Sequence, residues 1–165
     1  MTMTVSTQRP TPAFLQSPLG MLLDGQFVPA LEGRTVPVEN PATEEIVAHM
    51  PEGSAADVDR AVASARKSFD KGSWRKNSAV QREKILWVLS DLMEKHLDEL
   101  VELEVIDNGM PIGMVTRAIE RAIDGLRYYA GMCTKIHGVT SDISGQRADF
   151  HAYSLVEAIG VVGLI

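Results

Sequence analysis

The chain has 165 residues, of which 45% are hydrophobic and 23% are charged, and its formal net charge is −6 at pH 7. This length favours a single globular domain, and this composition excludes a disordered chain. Nucleic acid is disfavoured as a partner because its binding depends on cationic contacts to phosphate. No apolar run reaches the roughly 18 residues of a membrane span, so we expect no membrane partner either.

A single cysteine, Cys133, excludes an intrachain disulfide and is compatible with a reducing compartment. We therefore expect a cytoplasmic protein. The four histidines are scattered without the spacing of a metal site. The N-terminus is rich in Thr, Pro and Ser and lacks the sustained apolar core of a signal peptide. We interpret residues 1–18 as a mobile N-terminal arm.

Residues 19–50 predict a small antiparallel β segment. Two short apolar stretches flank Asp24-Gly25, and Asp-Gly between apolar strands is a strong hairpin signal because both turn positions need a positive φ. Two further strands are predicted over 35–38 and 46–50, with Asn40-Pro41 turning the chain between them.

Four helices are predicted to follow. The sequence Ser-Ala-Ala-Asp over residues 54–57 has the form of a capping box and starts the first helix, which ends at Gly72. Ser78 starts the second helix in the same way. A break near His96 leads to a third helix, which ends at Asp-Asn-Gly over residues 107–109 because glycine is favoured just beyond the last turn.

The fourth helix is predicted over 112–134. Its apolar residues repeat at alternating spacings of three and four, which predicts one face packed against neighbouring helices. The residues of this stripe are Ile112, Val115, Ile119, Ala122, Leu126, Tyr129 and Cys133.

The period of the apolar pattern changes after the fourth helix. Residues 138–143 and 152–157 predict two strands joined by a polar loop. From Ile159 onward the apolar run is continuous, which is typical of a central parallel strand buried on both faces. A helix normally follows such a strand, so we expect the sequence to be the front part of a longer α/β protein.

Three features invite a functional interpretation, and each has a simpler one. Cys133 ends the apolar stripe of the fourth helix, so we interpret it as a packing residue and not as a nucleophile. Gly160 and Gly163 lack the G-x-G-x-x-G spacing of a dinucleotide fingerprint, and we interpret them as close packing of a strand. The main role of residues 107–109 is expected to be that of a helix C-cap.

Seven stretches resemble, in order and in spacing, the N-terminal portion of the aldehyde dehydrogenase superfamily. In chain order they are LLDGQFVPA, ENPATEEIVAHMPEGSAADVDRAV, FDKGSWRK, LEVIDNGMP, LRYYAG, KIHG and EAIGVVGLI. The resemblance covers residues 19–165. The stretches FLQSPLGMLLDGQ and SGQRADF make it lean toward members of the phenylacetaldehyde dehydrogenase type.

This resemblance implies an α/β fold made of a small antiparallel β segment, a helical layer, a β arm and the first strand of a Rossmann-like parallel sheet. Residues 19–137 would form the N-terminal part of the cofactor-binding domain. Residues 138–157 would form an oligomerisation arm, and 158–165 the first core strand. The full-length protein would be a homodimer or a homotetramer.

The resemblance also implies an NAD- or NADP-dependent enzyme that oxidises an aldehyde to a carboxylic acid through a cysteine thiohemiacetal and thioester. The family's nucleophile, general base and oxyanion-hole residue lie beyond Ile165, so no catalytic residue is expected within 1–165. Ile165 is expected to contact the cofactor. The Asp107 carboxylate and the Val38 carbonyl are expected to bind a structural monovalent cation, K⁺ or Na⁺. A non-catalytic oligomerisation or interaction module stays open as the alternative.

Overall fold

The computed structural model describes residue 15 and residues 19–145 and 149–164. The predicted arm, apart from Leu15, and the predicted cofactor contact Ile165 lie outside the described residues. The strands are β1 (Met21–Leu23), β2 (Gln26–Val28), β3 (Thr35–Asn40), β4 (Glu45–Pro51), β5 (Thr140–Ser141) and β6 (Ala152–Tyr153). The helices are α1 (Ala55–Lys71), α2 (Ser73–Lys76), α3 (Ala79–Lys95), α4 (Leu97–Asn108) and α5 (Ile112–Met132).

The described residues belong to two compact units. The first unit combines residues up to Ser64 with Lys95–Arg121, and contains β1 to β4, the start of α1, α4 and the start of α5. The second unit combines Ala65–Glu94 with the residues from Ala122 onward, and contains α2, most of α3, the remainder of α5 and the β5–β6 pair. Helical and strand elements in this order confirm the predicted α/β succession.

The two N-terminal hairpins confirm the predicted β segment. Strands β1 and β2 pair antiparallel across Asp24-Gly25, which have φ values of 48° and 78°. Strands β3 and β4 also pair antiparallel and are longer than predicted. Their register shifts so that Ala48 lies opposite Val38 and Ile46 lies opposite Glu39. Val47 is therefore the extra residue of a β-bulge.

The turn between β3 and β4 is built by Asn40. Its side-chain Oδ1 accepts a hydrogen bond from the Ala42 N–H at 2.9 Å, and its carbonyl accepts one from the Glu44 N–H at 2.8 Å. Asparagine favours this conformation because its side chain can bond to the backbone two residues onward. Pro41 follows with its φ already fixed, so the chain reverses within a few residues.

The start of α1 confirms the predicted capping box. The Ser54 N–H and the Ser54 hydroxyl donate to Asp57 Oδ2 at 3.0 and 2.9 Å, while the Asp57 N–H donates to Ser54 Oγ at 3.4 Å. The carboxylate also accepts a hydrogen bond from the Leu31 N–H at 3.2 Å. Asp57 is only 3% exposed, so this carboxylate ties the turn after β2 to the first turn of α1.

The buried face of α5 differs from the predicted stripe. Val115, Ile123 and Ala130 are buried, whereas the predicted Ala122 and Tyr129 are exposed. The prediction followed an average spacing of 3.5 residues, as in a coiled coil. A straight helix has 3.6 residues per turn, so a 3.5-residue spacing falls behind the buried face as the helix lengthens. After two turns or more, the buried residue is the one that follows the predicted residue in the sequence.

The C-terminal strands also differ from the prediction. Strands β5 and β6 pair antiparallel with Thr140 opposite Tyr153, but each is only two residues long. Residues 159–164, predicted as a buried strand, form no strand and are mostly exposed. A strand exists only where a neighbour shares its backbone hydrogen bonds, and the described residues offer this segment no such neighbour.

Candidate functional site

A cavity of about 520 Å³ lies within the first unit, and we call it the N-terminal cavity. Both sequence-predicted cation ligands, Val38 and Asp107, line it. Phe27 and Met50 contribute apolar side chains from the β segment, and Leu103 contributes one from α4. The structure thus brings together two residues that lie 69 positions apart, in a largely apolar pocket with two carboxylates in its wall.

The end of α4 fixes the position of Asp107. Gly109 caps the helix in the left-handed region with φ 71°, and its N–H donates to the Val105 carbonyl at 3.0 Å. The Asn108 side chain donates to Glu104 Oε1 at 2.6 Å and accepts from the Met110 N–H at 2.8 Å. The predicted C-cap role of this motif is confirmed, and Asp107 itself is exposed in the last turn.

Gly109 also sets how closely the end of α4 approaches the β3–β4 turn. A Cβ added to Gly109 would lie 2.8 Å from Pro41 Cγ, which is nearer than real Cβ contacts. The helix-ending motif and the Asn40-Pro41 turn are therefore in direct contact. This contact places the last turn of α4, with Asp107, beside the strand that carries Val38.

The donor chemistry of this site fits part of a cation site. Carboxylate and carbonyl oxygens are the ligands that hard cations prefer. The β-bulge at Val47 lies next to the pair of Val38 and Ala48, and bulges disturb the regular hydrogen-bonded ladder around them. Among the described residues there is no cluster of three or more Asp, Glu, His or Cys that could hold a metal ion. Val38 and Asp107 would therefore supply only two oxygens of a fuller ligand set.

Cys133 is half-buried near the end of α5. Its Sγ lies 3.6 Å from the Tyr129 carbonyl of its own helix. A nucleophilic cysteine needs a neighbouring base that removes its proton or a cation that stabilises the thiolate. A backbone carbonyl is neither a base of this kind nor a cation. The geometry supports the interpretation of Cys133 as a packing residue.

Arg127 joins α5 to α3 within the second unit, and the sequence analysis did not single it out. Its Nη2 donates to Glu94 Oε2 at 2.5 Å and to Asp91 Oδ1 at 3.3 Å, and its guanidinium lies 5.8 Å from the centre of the Trp87 ring. The hydrogen bond to Glu94 raises the pKa of Arg127 above its ordinary value. Its partners lie 33 and 36 positions away, so no local pattern in the sequence indicates the pairing.

Among the helices of the described residues, none is both long enough and apolar enough to cross a membrane. This finding agrees with the absence of a long apolar run in the sequence.

Residues 27–165 match the model of the aldehyde dehydrogenase family. The chain is 44% identical over 146 residues to a mitochondrial benzaldehyde dehydrogenase of Antirrhinum majus, which covers 88% of this chain and 27% of that protein. It is 41% identical over 150 residues to an aldehyde dehydrogenase of Aspergillus niger, covering 91% of this chain and 29% of that protein.

A solved structure shares the fold. An aldehyde dehydrogenase from Bacillus cereus in complex with NAD⁺ superposes with a TM-score of 0.76 at 40% identity, covering 80% of this chain and 27% of that one. The fold is therefore the α/β N-terminal portion of an aldehyde dehydrogenase. The chain belongs to the aldehyde dehydrogenase family. It spans only 27% and 29% of the length of the two curated relatives above, and the lean toward phenylacetaldehyde dehydrogenases stays a prediction.

Proposed function

We propose that this chain is the N-terminal portion of an NAD- or NADP-dependent aldehyde dehydrogenase, which oxidises an aldehyde to a carboxylic acid while the cofactor takes up a hydride. The family match over residues 27–165 carries the proposal, and the similarity to an enzyme solved with NAD⁺ supports the choice of cofactor. The reaction would pass through a thiohemiacetal and a thioester on a cysteine outside residues 1–165.

Within that enzyme, residues 19–137 would belong to the cofactor-binding domain and 138–157 to an arm that joins subunits into a homodimer or homotetramer. Residues 158–165 would form the first core strand of a Rossmann-like sheet, with Ile165 beside the cofactor. The antiparallel pairing of β5 with β6 supports the arm. The enzyme would act in the cytoplasm on a small-molecule aldehyde.

The purified 165-residue chain should reduce neither NAD⁺ nor NADP⁺ in the presence of aldehydes, benzaldehyde and phenylacetaldehyde included. Covalent catalysis fails without an activated nucleophile, and the one thiol of this chain bonds to a helix carbonyl. The measurement is absorbance of the reduced cofactor, with the Cys133→Ser variant as control. Turnover that is present in the chain and lost in this variant would contradict the proposal, because it would make Cys133 the nucleophile.

Sequencing the gene beyond the codon for Ile165 tests whether the proposed catalytic residues follow this chain. An open frame that continues with Pro-Trp-Asn, followed later by a cysteine and a glutamate, should yield an enzyme whose product oxidises aldehydes. A stop codon at this point, together with an inactive chain, would overturn the proposal. It would favour the alternative of a non-catalytic oligomerisation or interaction module.

We also propose that the Asp107 carboxylate and the Val38 carbonyl help to hold a structural K⁺ or Na⁺. The placement of both residues in the N-terminal cavity supports this. Asp107 lies in the last turn of α4, where the helix dipole disfavours a negative side chain. A carboxylate placed against that preference needs a compensating positive partner, and a bound cation would provide one.

In the full-length protein, Asp107→Ala should lower the melting temperature by a few degrees in potassium buffer and leave turnover nearly unchanged. In buffer with only a bulky organic cation the same change should be neutral or slightly stabilising, since it removes an unfavourable charge worth about 0.3–1 kcal/mol at a helix end. Differential scanning calorimetry in the two buffers separates these effects.

Asp98→Ala is the control, because Asp98 is an exposed carboxylate on the same helix that does not line the N-terminal cavity. It should keep the dependence of the melting temperature on potassium. If Asp107→Ala abolished turnover and left the melting curve unchanged, the structural-cation proposal would be refuted and Asp107 would belong to the active site.

A further inference from the structure

We propose that Asn108 is a site of spontaneous deamidation, and that the hydrogen bonds at the end of α4 control how fast it reacts. Asn108 is followed by Gly109, and a glycine nitrogen reaches the preceding side chain easily because no Cβ hinders its approach. The contacts that carry the proposal lie within residues 104–110. They belong to one helix end, and the proposal does not depend on the enzymatic function proposed above.

Water is the co-reactant of this modification. The Gly109 nitrogen forms a bond to Asn108 Cγ, the bond from Cγ to Nδ2 breaks, and the proton of the Gly109 N–H leaves with the side-chain nitrogen as ammonia. Water then opens the cyclic imide. Its addition at Cγ gives aspartate, and its addition at the main-chain carbonyl carbon gives isoaspartate, in which the chain runs through Cβ. Overall, an amide and water become a carboxylic acid and ammonia.

A contact with Met110 favours the attack on Asn108. The Met110 N–H donates to Asn108 Oδ1 at 2.8 Å. Negative charge develops on this oxygen when Cγ is attacked, and a donor that is already directed at the oxygen stabilises that charge. The turn that ends α4 therefore holds the Asn108 side-chain carbonyl in a polarised state.

Contacts with the preceding turn of α4 oppose the attack. The Gly109 N–H donates to the Val105 carbonyl at 3.0 Å, which keeps the proton on the nitrogen that would attack. Asn108 Nδ2 donates to Glu104 Oε1 at 2.6 Å, and this bond to a carboxylate restrains the side chain that would be attacked. Both reacting groups are thus held, so the reaction follows the fraying of the last turn of α4.

Deamidation weakens the end of α4. Either product puts a negative charge at position 108, where the helix dipole disfavours it and where Glu104 and Asp107 are already acidic neighbours. The donor to Glu104 is lost with the ammonia. The isoaspartate product also adds a methylene to the main chain before Gly109, which disturbs the close approach of Gly109 to Pro41.

The test follows Asn108 in the full-length protein during incubation in mildly alkaline buffer. Peptide mapping by mass spectrometry measures the fraction of molecules with a carboxylic acid in place of the amide, and the protein unfolded in guanidinium chloride gives the unrestrained rate. The folded protein should yield both products at least about tenfold more slowly than the unfolded protein. Glu104→Ala should accelerate the reaction of the folded protein about fivefold, as expected when one hydrogen bond is lost.

Glu104→Gln is the matched control, because its side-chain oxygen can accept the same hydrogen bond from Asn108 Nδ2. It should keep the slow rate. Equal acceleration by the two Glu104 variants, or equal rates in the folded and unfolded protein, would overturn the control by the helix end. Asn108 that stays unmodified in folded Glu104→Ala after the unfolded protein has reacted completely would overturn the site itself.

Asn108→Asp reproduces the aspartate product. In buffer with only a bulky organic cation, it should lower the melting temperature by a few degrees, because it removes the donor to Glu104 and adds a negative charge at the helix end. This buffer excludes a compensating K⁺ or Na⁺ at Asp107. An unchanged melting temperature would contradict the weakening of α4 by deamidation.

Discussion

Replacing Gly109 with alanine should lower the free energy of unfolding by about 2–3 kcal/mol. Two costs add. A residue with a side chain is strained at φ 71°, and the new Cβ would lie 2.8 Å from Pro41 Cγ. Relief of that contact requires the end of α4 to move away from the β3–β4 turn, and Asp107 moves with it.

Gly25→Ala separates the two costs. Gly25 has a similar φ of 78°, but a Cβ there would meet nothing within 4 Å. We therefore expect it to lose only about 1–2 kcal/mol, the cost of the backbone strain. Urea denaturation of both variants measures the difference. Equal losses of unfolding free energy in the two variants would show that the structure relieves the Pro41 contact without an energetic cost. This contact could then not be what positions Asp107.

Features that depend on neighbouring residues were predictable from the sequence. The Asp24-Gly25 turn follows from the positive φ that the hairpin demands, and both residues have it. The capping box at Ser54 and the C-cap at Gly109 are also decided by chemistry within four residues. In each case the backbone groups at the end of an element need a partner, and the sequence provides it locally.

Features that depend on distant residues were not predictable from the sequence. The bond from the Leu31 N–H to Asp57 spans 26 positions, and the one from Arg127 to Glu94 spans 33. The bulge at Val47 likewise depends on how two strands align and not on either strand alone. Such pairings are decided by how the elements pack in three dimensions. The spacing of residues in a single sequence does not show that packing.

The candidate site shows the same division. Local chemistry predicted the helix end that carries Asp107, but the pairing of Asp107 with Val38 came only from the resemblance to a family. The shared N-terminal cavity is the structural observation that joins them. Residues 159–164 show what the apolar pattern does not tell. The pattern indicates that a segment tends to be buried, but it does not identify the residues that would bury it.

Asp57→Asn should lower the melting temperature at pH 7 by roughly 5–10 °C, the second large effect we expect. The Asp57 carboxylate accepts hydrogen bonds from the Ser54 N–H, the Ser54 hydroxyl and the Leu31 N–H in a buried position. An amide keeps the shape of the side chain but turns one of its two acceptor oxygens into a donor group. At least one buried donor then loses its partner.

The same carboxylate should make the stability of the chain depend on pH in acid. Its hydrogen bond with the Ser54 N–H holds the pKa of Asp57 below the ordinary value of 3.8, against the opposing effect of burial, and the Ser54 hydroxyl, the Leu31 N–H and Arg60 act in the same direction. Because the pKa is lower in the folded state than in the unfolded state, this stabilisation is complete above the unfolded pKa of about 3.9 and is lost as the pH falls through it toward the folded value.

Thermal unfolding between pH 6 and pH 2.5 tests this dependence. The melting temperature of the unmodified chain should fall more steeply below pH 4 than that of Asp57→Asn, so that the two curves converge in acid. Asp59→Asn, an exposed change two residues further along α1, should lie parallel to the unmodified chain throughout. Curves for the unmodified chain and Asp57→Asn that keep a constant separation down to pH 2.5 would mean that charge on Asp57 contributes nothing. The buried hydrogen bonds would then act only through the geometry of their acceptor.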